Sequence, residues 1–212
     1  MNSVQEKLYK GYAKAALKLG QQYDLYRPTA ADYPVAPAQL VATVMASFNP
    51  QDMKYGSAGD YAKPGWYCLT DGRLTKVGDY LVNGAEVYFI AAQQLALPID
   101  AVRCNRVATV TRPKQQSGAG AQGYGGSVVA DEVALMTQWP CSILQGTKGE
   151  KTEANLPADI RSPWWAILLP AWPGVVLRST DVITDDLGRR YTVSSAELTD
   201  RGWRLTAMQA QT

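Results

Sequence analysis

Apolar residues recur at helical spacing near the start of the chain and then in short, strand-like runs to its end. Val4, Leu8, Tyr12, Ala15 and Leu19 make one stripe, so a helix is predicted over residues 3–19. Ser3 followed by Glu6 fits a capping box, and Gly20 can end the helix in the left-handed conformation. Lys7, Lys10, Lys14 and Lys18 form a second stripe on an adjacent face. That stripe reads either as the solvated flank of a packed helix or as a basic surface facing an acidic partner or DNA. From Tyr23 to Pro37 the chain is spaced by prolines at 28, 34 and 37, each pushing its predecessor out of the helical region. An extended arm is predicted there, lying along a neighbour or strapped over its own domain.

The rest of the pattern is written twice. Trp66-Tyr67-Cys68-Leu69 is followed by Val77–Val82, Val87–Ile90 and Arg106–Val110; later come Trp165–Leu168, Ser179–Thr184, Tyr191–Val193 and Trp203–Ala207. The spacing is 99 at Val44/Ile143 and Trp66/Trp165, 102 at Asp79/Asp181 and 103 at Tyr88/Tyr191. Loop insertions produce that kind of drift. The prediction is a mainly β protein. A helix and arm occupy 1–37, a first β unit 40–112, a glycine-rich linker or loop 113–132, and a second β unit 133–210, whose matches to the first read as a duplication in preference to chance matching among common strand residues. Short strands at this spacing favour a small barrel or sandwich in each unit. Asn83-Gly84 predicts a type I′ hairpin turn, and Asp185-Asp186-Leu187-Gly188 occupies the same place in the second unit.

Composition then removes chemistry. The chain has no histidine, so it holds no Ser–His or Cys–His nucleophile pair, no imidazole base and no histidine metal ligand. Cys68, Cys104 and Cys141 each lie in a strand-like run and read as buried thiols, or as one disulfide and a spare. A zinc site would need more paired cysteines. A net charge of +2 gives no global drive towards nucleic acid or membrane. No apolar run approaches the ~20 residues of a membrane span. Glu6, Lys7 and Lys10 stand where an export signal needs its apolar core.

Four features are weighed for chemistry. Gly118-Ala119-Gly120-Ala121-Gln122-Gly123 spells a dinucleotide-binding pattern, but more glycine follows where a helix should begin, so a linker or loop is the better reading. Asp181, Asp185 and Asp186 suggest calcium ligands, yet a hairpin turn explains them without the loop a calcium hand requires. The repetition of Asp79 as Asp181 and of Tyr88 as Tyr191 points to a turn bond and a core ring. Trp164, Trp165 and Trp172, with Pro163, Pro170 and Pro173, make a core plug, a protein-contact surface or a sugar platform. No enzyme, cofactor or metal is expected.

The stretch from Pro173-Gly174-Val175 through Asp181–Thr184 and Gly188–Val193 to Gly202–Ala207 resembles the small β-barrel of phage head–tail joining proteins. The whole chain, including Gly11–Ala16 and Tyr23–Pro28, is similar to structural proteins of phage and prophage late gene clusters. The resemblance implies a virion component, made in the bacterial host cytoplasm, at the neck, head-to-tail connector or collar. It implies a homo-oligomeric ring in contact with portal, adaptor or tail proteins, lying near DNA and away from membrane. Two barrel-like units are a departure from that family and leave a tail-hub or baseplate part open. A carbohydrate-binding module using the tryptophans is the alternative from another class. Lys7, Lys10, Lys14, Lys18, Tyr26, Arg27, Trp164 and Trp172 are the interface candidates.

Overall fold

In the computed structural model, which describes residues 3–50, 63–114, 131–146 and 164–210, the chain folds into one helix and two closed six-stranded barrels. Helix α1 (Ser3–Leu19) leads into the first barrel: β1 (Gln21–Tyr26), β2 (Leu40–Pro50), β3 (Gly65–Leu69), β4 (Tyr80–Asn83), β5 (Glu86–Ala92) and β6 (Ile99–Cys104). The second contains β7 (Arg106–Pro113), β8 (Glu132–Gln145), β9 (Trp164–Leu169), β10 (Val182–Asp185), β11 (Arg190–Thr199) and β12 (Gly202–Gln209). Around the first barrel the order is β1-β2-β3-β6-β5-β4; around the second it is β7-β8-β9-β12-β11-β10. The two orders are the same. Closure pairs every strand on both sides, which removes the edges that an open sheet would have to protect.

Register makes the correspondence residue by residue. Leu81 pairs with Tyr88 and Leu25, and Ile183 pairs with Tyr191 and Val110. Both barrels carry a bulge at one point of one hairpin, between Ile90 and Ala92 and between Val193 and Ser195. Trp66 meets the Tyr88 ring edge-on at 6.2 Å, and Trp165 meets Tyr191 in the same way at 5.5 Å. Gly78 and Thr180 both have positive φ and both donate a backbone hydrogen bond one strand across, to Ile90 and Val193.

Several sequence expectations are corrected here. The first barrel begins at β1, inside the predicted arm, because Gln21–Tyr26 pairs with both β2 and β4. Arg106–Val110 opens the second barrel instead of closing the first, since β7 pairs with β8 and β10. The counterpart of Ile143 is Phe48, and Val44 corresponds to Trp139. The glycine-rich stretch lies outside the described residues, but the strands it joins, β7 and β8, are neighbours in one barrel. Asn105 alone separates β6 from β7. At the β4–β5 hairpin Asn83 pairs with Glu86, so the turn residues are Gly84 and Ala85, and only Gly84 has positive φ. That is the type II′ pattern, with glycine at the first central position.

The helix is where the period placed it, with a different face turned inward. Gln5, Tyr9 and Ala16 are buried, with Leu8 and Tyr12 packed beside them, while Val4, Leu17 and Leu19 are exposed. Two glycines decide this. A Cβ at Gly20 would strike the carbonyl oxygens of Ala46 and Ala16, and one at Gly72 would strike the Tyr9 ring. Close approach, and no left-handed φ, is therefore what Gly20 supplies at the helix end.

Candidate functional site

Among the described residues the barrel interiors are lined mainly by apolar side chains, and the charged contacts lie at the strand ends and between the barrels. At the exit of β1 the Arg27 guanidinium grips Asp79 with both arms, at 2.9 and 2.7 Å, and donates to the Leu74 carbonyl at 2.8 Å. At the exit of β7, Arg112 grips Asp181 at 2.7 and 2.9 Å and donates to the Val176 carbonyl at 2.7 Å. The backbone N–H groups of Lys76 and Arg178 complete the two carboxylates. Hydrogen bonding to the carboxylate raises the pKa of each arginine above its ordinary value. These pairs tie a strand end to the crossover between β3 and β4, or β9 and β10. A planar fork on a buried carboxylate is a positioning device.

The barrels meet along an apolar junction. Tyr80, Phe89, Val102 and Cys104 of the first share one core with Trp139 and Cys141 of the second. The Tyr80 ring lies edge-on to Trp139, and its hydroxyl donates to the Pro140 carbonyl at 2.9 Å. Burial raises the pKa of Tyr80 well above the phenol value, so the hydroxyl keeps its proton and stays a donor. Asn105 stitches the crossing point: its backbone N–H reaches Cys141, and its carboxamide bonds both the N–H and the C=O of Ile143. The arm after β1 reaches across as well. Tyr33 and Ala31 exchange backbone bonds with Thr137, and the Trp139 indole donates to the Ala31 carbonyl at 2.7 Å. Of the two arm readings, the strap describes this segment, and it runs from one barrel to the other.

Beside the junction a cleft of about 420 Å³ opens between the barrels, walled by Phe89, Leu168 and Trp203. The rim charges Arg201 and Asp100 pair across it at 3.0 Å, and Arg204 is held by Glu197. Such a cleft suits an apolar group better than an ion.

The sequence-predicted residues are not gathered in one place. Lys7, Lys10, Lys14 and Lys18 are exposed on the outward side of α1, opposite the buried stripe, and Lys10 pairs with Glu6 at 2.8 Å. That bond holds the Glu6 carboxyl below its ordinary value. Tyr26 packs on the chain's own junction core, and Arg27 is occupied by Asp79. Trp172 packs on Trp139 at 5.7 Å, and Trp164 is half-buried over Gly146. Asp185 accepts from the N–H groups of Leu187 and Arg189 and from the Tyr191 hydroxyl, which explains the acidic hairpin as a turn. Cys68, Cys104 and Cys141 are free, buried thiols, with their pKa values pushed up by desolvation. Among the described residues no group of three or more histidine, cysteine or acidic residues is placed to hold a metal ion, and no helix is long and apolar enough to cross a membrane. Pattern reading missed the junction itself, and it also missed the repeat of Arg27-Pro28 as Arg112-Pro113 that marks the two arginine clips. Comparison with protein-family models, with curated proteins and with solved structures finds no match.

Proposed function

We propose that this protein is a structural component of a tailed-phage virion, at the neck or head-to-tail connector, and that it works through protein–protein contacts in a ring. One observation carries the reading. Two barrels of the same strand order pack through non-equivalent faces, the outer side of β5 and β6 on the first against β8 on the second. A heterologous contact between like units is the geometry from which rings are built. The resemblance of the Pro173–Ala207 stretch to head–tail joining barrels gives that geometry its setting. The exposed lysine side of α1 offers a surface to an acidic neighbour, and the paired arginines keep the strand exits fixed while contacts form.

The test is to purify particles from a strain carrying the gene and to locate the chain by mass spectrometry and labelled electron microscopy. Particles should contain it in a fixed number of copies at the junction of head and tail. Complete, infective particles without the chain would overturn the reading.

A further inference from the structure

The strand correspondence shows what occupies each barrel face. The second barrel receives the first on β8, around Pro140. Its counterpart on the first barrel is β2, and there, with β3 beside it, stands α1. Tyr9 and Ala16 are buried against that face, with Gly20 drawn onto the Ala46 carbonyl. The helix therefore covers the first barrel where the first barrel covers the second.

The other half of the contact also has a counterpart. Tyr80, Phe89 and Val102, which face the junction, correspond to Val182, Thr192 and Met208. Thr192 and Met208 are exposed. One receiving face is occupied by α1, and one presenting face is open at Thr192 and Met208, with Val182 buried beside them. It is less apolar than its counterpart, with Arg190, paired to Glu132, at the position of Val87.

We propose that α1 is an end cap, and that the face beneath it takes the outer side of β10–β12 of a second copy once the helix is displaced. A contact between non-equivalent faces repeats indefinitely unless an end is blocked, and terminal units of repeat arrays are blocked in this way. The helix is suited to leaving. It exposes Val4, Leu17 and Leu19, and the Nε2 of buried Gln5 has no hydrogen-bond partner, although its Oε1 accepts from Ala96. Replacement of the Phe89 type of contact by Thr192 makes association between copies weaker than the internal junction, so assembly stays reversible. The inference extends the ring reading above, because it names the surface by which copies would join.

The experiment uses the full chain. Ala16→Glu places a carboxylate where no solvent reaches and should release the helix, which trypsin cleavage at Lys14 or Lys18 reports. Sedimentation across a concentration series should find the parent chain monomeric and Ala16→Glu at a mass of at least two chains. Adding Thr192→Glu on the exposed presenting face should return it to monomer. Tyr9→Ala, a milder release, should behave likewise if Ala16→Glu does not fold. A released helix with a chain that stays monomeric overturns the cap, as do oligomers indifferent to Thr192→Glu. Incorporation into particles is scored separately, so the virion reading and the cap fail independently.

Discussion

The Asn105 carboxamide pairs with both backbone polar groups of Ile143, at 2.9 Å to its carbonyl and 2.8 Å from its N–H. A side chain here does what a strand peptide does, and it does so at the one residue between the barrels. Asn105→Ala should leave two buried backbone groups without partners and cost about 2–6 kcal/mol, at roughly 1–3 kcal/mol for each unmade bond. Urea unfolding measures this. A loss under 0.5 kcal/mol, on the order of a surface substitution, would mean that the stitch is incidental.

The two arginine clips should fail alike. Asp79→Ala and Asp181→Ala each strip a guanidinium of its buried partner and should each destabilise by about 3 kcal/mol. Arg27→Lys and Arg112→Lys should recover little, because an ammonium cannot reach both oxygens and the Leu74 or Val176 carbonyl together. Equilibrium unfolding of the four variants decides the matter, and a large effect at only one clip would contradict their equivalence.

Thr180 holds φ at 78°, where its counterpart is Gly78 with φ at 90°. A β-branched residue is strained in that region. Thr180→Gly should therefore stabilise by about 1 kcal/mol, the strain relieved exceeding the entropy glycine adds to the unfolded chain. An increase in melting temperature is the readout, and a decrease would show that the threonine side chain contributes more than its backbone costs.

Stability should fall in alkali. Burial raises the pKa of Cys68, Cys104 and Cys141, so the folded state keeps protons that the unfolded state releases. Their contribution is intact below the ordinary thiol value of about 8.5 and is lost as pH rises from there towards the folded values. Each thiol adds a slope of about 1.4 kcal/mol per pH unit in that window. Urea midpoints at pH 8 and pH 10 should differ markedly, and replacing the three cysteines by alanine should flatten the difference. Native protein should also resist thiol labelling.

Deleting residues 1–37 should abolish cooperative unfolding of the first barrel, because it removes β1 along with the helix. Circular dichroism during a thermal melt tests this. A soluble, cooperatively melting product would mean that another segment can close the barrel.

How much of this was legible depends on how each element is stabilised. The barrels, the helix span and the equivalence of Asp79 with Asp181 and Tyr88 with Tyr191 rest on local periodicity and on order along the chain, and both are written in the sequence. The helix face was not, because two stripes overlap on α1 and the choice is made by Gly20 and Gly72, which say nothing until the sheet is beside them. The unit boundary was hidden because β6 and β7 run on through Asn105 as one strand-like stretch. Nor does the proline-spaced arm reveal β1, whose two buried residues, Tyr23 and Leu25, are too few to make a pattern. Tyr26, Arg27 and Trp172, all interface candidates, are engaged within the chain, Trp172 in the manner of the core-plug reading, and choosing between inward and outward contact needs long-range geometry.

The equivalences also locate where the two barrels differ in length. The spacing between counterparts is 85 at Leu25/Val110, 95 at Ser47/Ser142, 99 at Trp66/Trp165, 102 at Asp79/Asp181, 103 at Ile90/Val193 and 106 at Ala101/Ala207. It lengthens between one strand and the next, while the pairing of counterpart strands keeps its register. Foreign peptides, epitope tags or whole guest domains should therefore be grafted between β7 and β8 or between β8 and β9, where the second barrel has a longer connection than the first and keeps the same strand order.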